Sequence, residues 1–312
     1  MYFARTALAA VAILAIGTAQ AGPVITGNTS ATSLANTIAG GGITVSNPTL
    51  TFGGPSTLSA PTGTFTGGAS TLGFGDGIVL TNGDIACATG SNTTGGCGLD
   101  RGTINGNNVF DRTTLSFDFT STSGQVFFQY VFGSEEYNNY VGSSFNDGFE
   151  LLLNNVNIAV LPGNAGAVTI NNVNCVTNSA FYRNNSPELL GNGTACPVNQ
   201  PNLNLDIQYD GLTTVLTASG TVQAGTNNFR FSVFDRADGI LDSGVFIRAG
   251  SFSATNPTIP TIPPNPNAVS EPGSLALVGL ALTTVLAASR RRKVGSSVAE
   301  QPACSFNDPA TA

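Results

Sequence analysis

Histidine and tryptophan are absent from this chain of 312 residues, and the only methionine is Met1. The missing histidine removes several mechanisms together. No Ser-His-Asp triad, no Cys-His pair and no histidine-ligated zinc or copper centre can be assembled here. Charge is also scarce, at 9% of residues, where soluble domains usually carry about a quarter. Between Gly22 and Ser270 there are six arginines, no lysine and fifteen carboxylates, a net of −9. Without basic side chains to displace counterions, nucleic acid is excluded as a partner. Acids without bases are compatible with calcium, which takes carboxylate and carbonyl oxygens.

What replaces charge is Gly, Thr, Ser and Asn, the composition of an extracellular strand-and-turn protein. The start, MYFARTALAAVAILAIGTAQA, places Arg5 before an apolar run from Ala7 to Ile16 and ends in Ala19-Gln20-Ala21. This is the pattern of a secretory signal peptide over residues 1–21, removed by signal peptidase before Gly22. Export permits disulfides. Four of the five cysteines flank Gly/Asn-rich segments, and nearest-neighbour pairing joins Cys87 to Cys97 and Cys175 to Cys196. Four cysteines allow three connectivities, so this pairing is a preference among them. Each such loop closure contributes about 2–3 kcal/mol. Cys304 has no expected partner.

The other end carries a second address. Residues 273–289 form an uncharged stretch at the lower limit for a membrane helix. Arg290, Arg291, Arg292 and Lys293 follow and would stop transfer on the cytoplasmic side. Upstream, residues 253–268 form a linker rich in proline and asparagine that cannot pack. Ser270-Glu271-Pro272, the short helix and the arginine cluster occur in order, and together they closely resemble the PEP-CTERM sorting signal. The resemblance spans residues 269–293. It implies recognition and cleavage by exosortase, with the membrane as a temporary anchor. Two features depart from that pattern: Ser270 stands where proline is usual, and a tail of residues 294–312 follows the basic cluster.

The body, residues 22–252, reads as a single all-β domain of the β-sandwich or jelly-roll type with one short N-terminal helix. Strands are expected at Ile43–Phe52, Gly77–Thr81, Thr113–Thr120, Gln125–Phe132, Phe149–Leu153, Val156–Leu161, Leu203–Tyr209, Thr213–Val222, Asn228–Asp235 and Gly244–Phe252. In Phe229–Asp235, Phe229, Phe231 and Val233 share one face. A helix is expected at Ser33–Ala39, capped by Thr32 or Ser33. Gly53–Gly75 has a weak pattern and reads as a surface loop.

Acids are few, so their clustering stands out. Glu135, Glu136, Asp147 and Glu150 lie in FGSEEYNNYVGSSFNDGFE, and Asp235, Asp238 and Asp242 in DRADGILDSGVF. Carboxylates on turns between strands are what a hard cation needs. Glu136, Asp147, Asp235 and Asp238 are the candidate calcium ligands; acids that merely accept N–H bonds in turns would give the same clustering. Together with GIVLTNG, NIAVLPG, YDGLTTVLTA and DSGVFIRAGSF, the SEEY and FND blocks resemble the choice-of-anchor L domain, a surface module whose members carry varied C-terminal anchors. That resemblance implies an extracellular β domain with no assigned reaction, and it supplies no binding residues.

The resulting expectation is a non-enzymatic protein of the cell surface or extracellular matrix, associated with exopolysaccharide, adhesion or biofilm. An alternative is a calcium-dependent lectin-like module using Tyr137, Tyr140 and Tyr182 as stacking rings. A third is a glycoside hydrolase. It needs two acids about 5–10 Å apart. Glu135 and Glu136 are adjacent on a strand and must point to opposite faces, so Glu136 with Asp147 or Glu150 is the better pair.

Overall fold

A computed structural model describes residues 22–55, 57–93 and 97–258, apart from the Cys87 side chain. The expected signal peptide, most of the linker, the sorting signal with its helix at 273–289 and the 294–312 tail lie outside the described residues. So does the pairing of Cys87. Among the described residues no helix is long and apolar enough to cross a membrane.

The domain is a sandwich of two antiparallel sheets. The larger sheet runs in the order β1 (Val24–Gly27), β3 (Thr62–Thr66), β4 (Gly77–Thr81), β13 (Ser243–Arg248), β6 (Gln125–Ser134), β10 (Gly211–Thr213) and β9 (Tyr182–Asn184), with β11 (Leu216–Thr221) also paired to β6. The smaller runs β2 (Ile43–Thr51), β5 (Val109–Ser121), β12 (Asn227–Arg236), β7 (Gly148–Leu153) and β8 (Val156–Asn157). Both sheets and the apolar core lie between Val24 and Ala254, so this stretch is a self-contained folding unit.

Alternation explains which side chains meet. From the smaller sheet, Phe117, Phe119, Phe149, Leu151, Phe229 and Phe231 point inward. They pack on Phe128, Tyr130, Phe132, Leu80 and Ile247 of the larger sheet and on Leu34 and Ile38 of helix α1 (Ala31–Ile38). Phe117 stacks on Phe229 with ring centroids 5.1 Å apart, and Phe252 closes on Phe229 at 4.7 Å. Phe229, Phe231 and Val233 do share the buried face. The larger sheet is covered on its second face as well. There Val79, Val131 and Phe246 meet Leu205, Ile207, Tyr209 and the short helix α2 (Ala69–Leu72). Double coverage explains why GIVLT and YVFGS are apolar or small throughout, whereas β5 alternates.

Several expectations are corrected. Leu203–Tyr209 is not a strand. It runs as irregular chain under the larger sheet. The Asn185 amide holds it, donating to the carbonyls of Ile207 and Tyr209 at 2.9 and 3.0 Å and accepting from Leu205 N–H at 2.6 Å. Those side-chain bonds do the work of a ladder, which no periodicity announces. Gly53–Gly75 contains β3 and α2 rather than one loop. The helix begins two residues early, because Ser30 accepts from the Ser33 N–H and is the cap. Val156–Leu161 is a strand only over its first two residues, and Thr213–Val222 divides into the end of β10 and β11. β1 and β9 went unexpected: each has four residues or fewer, too short for an alternation to register.

Candidate functional site

Register gathers the acids. Ser134 at the end of β6 pairs with both Ser243 and Gly211, and Thr81 at the end of β4 pairs with Gly244. In the other sheet Phe234 pairs with Gly148. The loops that follow β4, β6 and β12 and precede β7, β10 and β13 therefore emerge at one end. They bring Asn82, Glu135, Glu136, Asp147, Asp210, Asp238 and Asp242 to that end, where Asp235 stands among the last residues of β12.

Glu135 and Glu136 divide the end in two. They follow β6 as neighbours in a turn rather than on the strand itself, and different carboxylates act on each. Glu136 faces Asp147 and Asp238. Glu135 faces Asp210, Asp242 and Glu188.

On the Glu136 side, Asp147 is fully buried and held by two donors. Its oxygens accept from Arg236 N–H and Ser243 Oγ–H, both at 2.9 Å. Asp235 shares a hydrogen bond with Asp147 and accepts another from the Asn82 amide. Asn82 in turn accepts from Ser243 N–H at 2.6 Å. One oxygen each of Glu136 and Asp235 is buried with no hydrogen-bond partner. Burial raises the Glu136 carboxyl to about 10 and Asp147 to about 7, and pushes Asp235 well up. The structure thus places the four candidate calcium ligands, Glu136, Asp147, Asp235 and Asp238, in one neighbourhood. Among the described residues no group of three or more acidic or cysteine side chains is arranged to hold a metal ion as it stands.

Asp242 and Asp111 do other work. Asp242 accepts from Asp84 N–H at 3.0 Å and Leu99 N–H at 2.9 Å. Asp111 accepts from Arg101 N–H and Thr103 N–H at 2.7 and 2.8 Å. These acids pin the 97–103 segment. The buried Arg101 side chain spans the same region, donating to the carbonyls of Gly53, Ser59 and Gly83.

On the Glu135 side an open cleft of about 230 Å³ lies beside the larger sheet. Its lining includes Ser91, Asn92, Ser186, Glu188, Asn202 and Asp210. Asp210 accepts from Asn92 at 2.7 Å and hydrogen-bonds with Ser186 and Glu188. Burial raises Asp210 to about 7 and Glu135 to about 9. Glu135 is 3% exposed, and its Oε1 has no partner. The sequence reading missed this cleft. Glu188 stands alone in SPELL, and Asp210 lies 75 residues from Glu135.

Other expected contributors are placed differently. Glu150 points to the outer face of the smaller sheet and pairs with Arg112 at 3.1 Å, away from Glu136. Tyr137 and Tyr182 are buried core rings 4.9 Å apart, not exposed stacking platforms, and Tyr140 is half-buried. Cys175 and Cys196 form the expected disulfide.

The choice-of-anchor L domain family model matches residues 24–253. No curated protein and no solved structure matches the chain.

Proposed function

Since the chain belongs to the choice-of-anchor L domain family, an exported surface-associated module, we propose that it is a non-enzymatic matrix or adhesion protein. In this reading exosortase cleaves at Ser270-Glu271-Pro272, and the β domain is left outside the inner membrane to associate with exopolysaccharide. The single observation that carries it is the family match across nearly all of the described body. The hydrolase reading has less support. Glu136 and Asp147 are almost wholly buried, and neither lines the open cleft, so no glycosidic bond reaches them. Processing is tested by expressing the full chain with and without exosortase and weighing the exported product. Loss of the residues beyond the 270–272 motif only when exosortase is present is expected. An uncut, membrane-retained chain in both strains would overturn this part.

A second reading, glycan binding, is favoured by the cleft, whose rim offers hydroxyl, amide and carboxyl groups that match sugar hydroxyls. Calcium on Glu136, Asp147, Asp235 and Asp238 belongs to the same proposal. Its support is the pair of free buried oxygens on Glu136 and Asp235, which cost free energy until a cation or proton meets them.

A further inference from the structure

The cleft beside the larger sheet has a chemistry of its own. At about 230 Å³ it falls below the ~300–1,000 Å³ of drug-sized sites. It therefore suits one sugar ring rather than a long ligand. Among the described residues no aromatic, arginine or lysine side chain lines it. Ring stacking cannot supply the selectivity, and an anionic sugar finds no counter-charge. Asp210 and Glu188 face each other close enough to share a hydrogen bond. Glu135 does not line the cleft, although the charges of Asp210 and Glu188 help to raise its carboxyl. A uronate or sulfate would be repelled by the Asp210–Glu188 pair. A neutral sugar would leave the pair as it is. A primary ammonium group brings what the pair lacks, a positive charge with three N–H donors. The receptor side is already rigid, because Asn92 and Ser186 fix Asp210 and the Asn185 amide fixes the chain beneath.

We propose that this cleft binds an amino sugar with a free amine, its ammonium seated on the Asp210–Glu188 pair and its hydroxyls on the serine and asparagine rim. The inference rests on the glycan-binding reading and deepens it by naming the sugar class. The protein would then select deacetylated amino-sugar polymers over acidic ones in a matrix.

The test is calorimetric titration of the 22–258 unit at pH 7 with four probes: a glucosamine trimer, an N-acetylglucosamine trimer, a galacturonate trimer and calcium chloride. The glucosamine trimer should bind at least about tenfold more tightly than the acetylated one, and galacturonate should not bind. Asp210→Asn and Glu188→Gln should each weaken glucosamine binding by about tenfold or more. Glu188 is only half-buried, so its variant remains informative if Asp210→Asn unfolds. Asp118→Asn, on the exposed outer face of the smaller sheet, should leave binding unchanged. Equal binding of the two trimers would overturn the ammonium assignment and leave glycan binding standing. Silence from every sugar, with or without a calcium signal, would remove both. Equal losses in all three variants would mean diffuse charge attraction and would also overturn the proposal.

Discussion

Stability of the β domain should fall as pH rises from 5 to 7 in the presence of a chelator. The perturbation is the ionisation of carboxyls that the fold buries. Glu135 is raised from 4.5 to about 9, and Glu136 from 4.5 to about 10, both chiefly by burial. A raised folded value means that the native state binds the proton more tightly than the unfolded chain. The stability each contributes is complete below the unfolded value near 4.5, and it is lost as pH climbs toward the folded value. Between pH 5 and 7 each group is protonated when folded and ionised when unfolded. One such group gives a slope of about −1.4 kcal/mol per pH unit. Over two units that is about 3 kcal/mol, against a total of about 5–15 kcal/mol for a domain. The assay is urea unfolding of residues 22–258 with the disulfides intact, followed by tyrosine fluorescence at pH 5, 6 and 7. Glu135→Gln, an uncharged mimic of the protonated acid, should flatten the slope by about 1.4 kcal/mol per unit. A stability that is level or rises with pH would refute the picture of protons held in a desolvated end.

The same buried oxygens give a calcium prediction. Millimolar calcium at pH 8 should raise the thermal midpoint, and the rise should vanish in Asp147→Asn; an identical melt in chelator would remove calcium from the proposal. Replacing Cys175 and Cys196 by serine should cost about 3 kcal/mol, since the bond spans 21 residues, read as a lower urea midpoint. Gly244→Ala should cost about 1–3 kcal/mol: Gly133 and Gly244 pair across β6 and β13 as a bare platform for Tyr209, and an added Cβ meets its ring. Glu150→Gln should change stability by less than about 1 kcal/mol, because its partner Arg112 is solvent-accessible. A large loss there would contradict the placement of Glu150 outside the acidic end.

The amino-acid pattern alone carried the fold class and most of the strands. β5, β6, β7, β12 and β13 were legible because at least one face of each is core, so alternation or an apolar run marks them. Glu135 and Glu136 read as adjacent strand residues, but β6 ends at Ser134 and both lie in the turn that follows, so strand geometry does not account for their different surroundings. The Cys175–Cys196 bridge could be preferred from spacing, and the absence of histidine closed off its mechanisms without a structure. Legibility failed where side chains, not periodicity, hold the backbone. Leu203–Tyr209 has a strand-like sequence, but the Asn185 amide takes its polar groups and it joins no ladder. Tyr137 and Tyr182 resemble surface rings in an Asn-rich stretch, yet they fill the core.

The acidic end shows the division most clearly. Composition and spacing determined that carboxylates cluster on loops, and nothing local could say which loops meet. Only the antiparallel register, with Ser134 set between Ser243 and Gly211, decided that Glu136 joins Asp147 while Glu135 joins Asp210 and Glu188. Pairing between strands far apart in sequence is set by how the two apolar faces fit together, so its consequences at the loop ends belong to the tertiary structure.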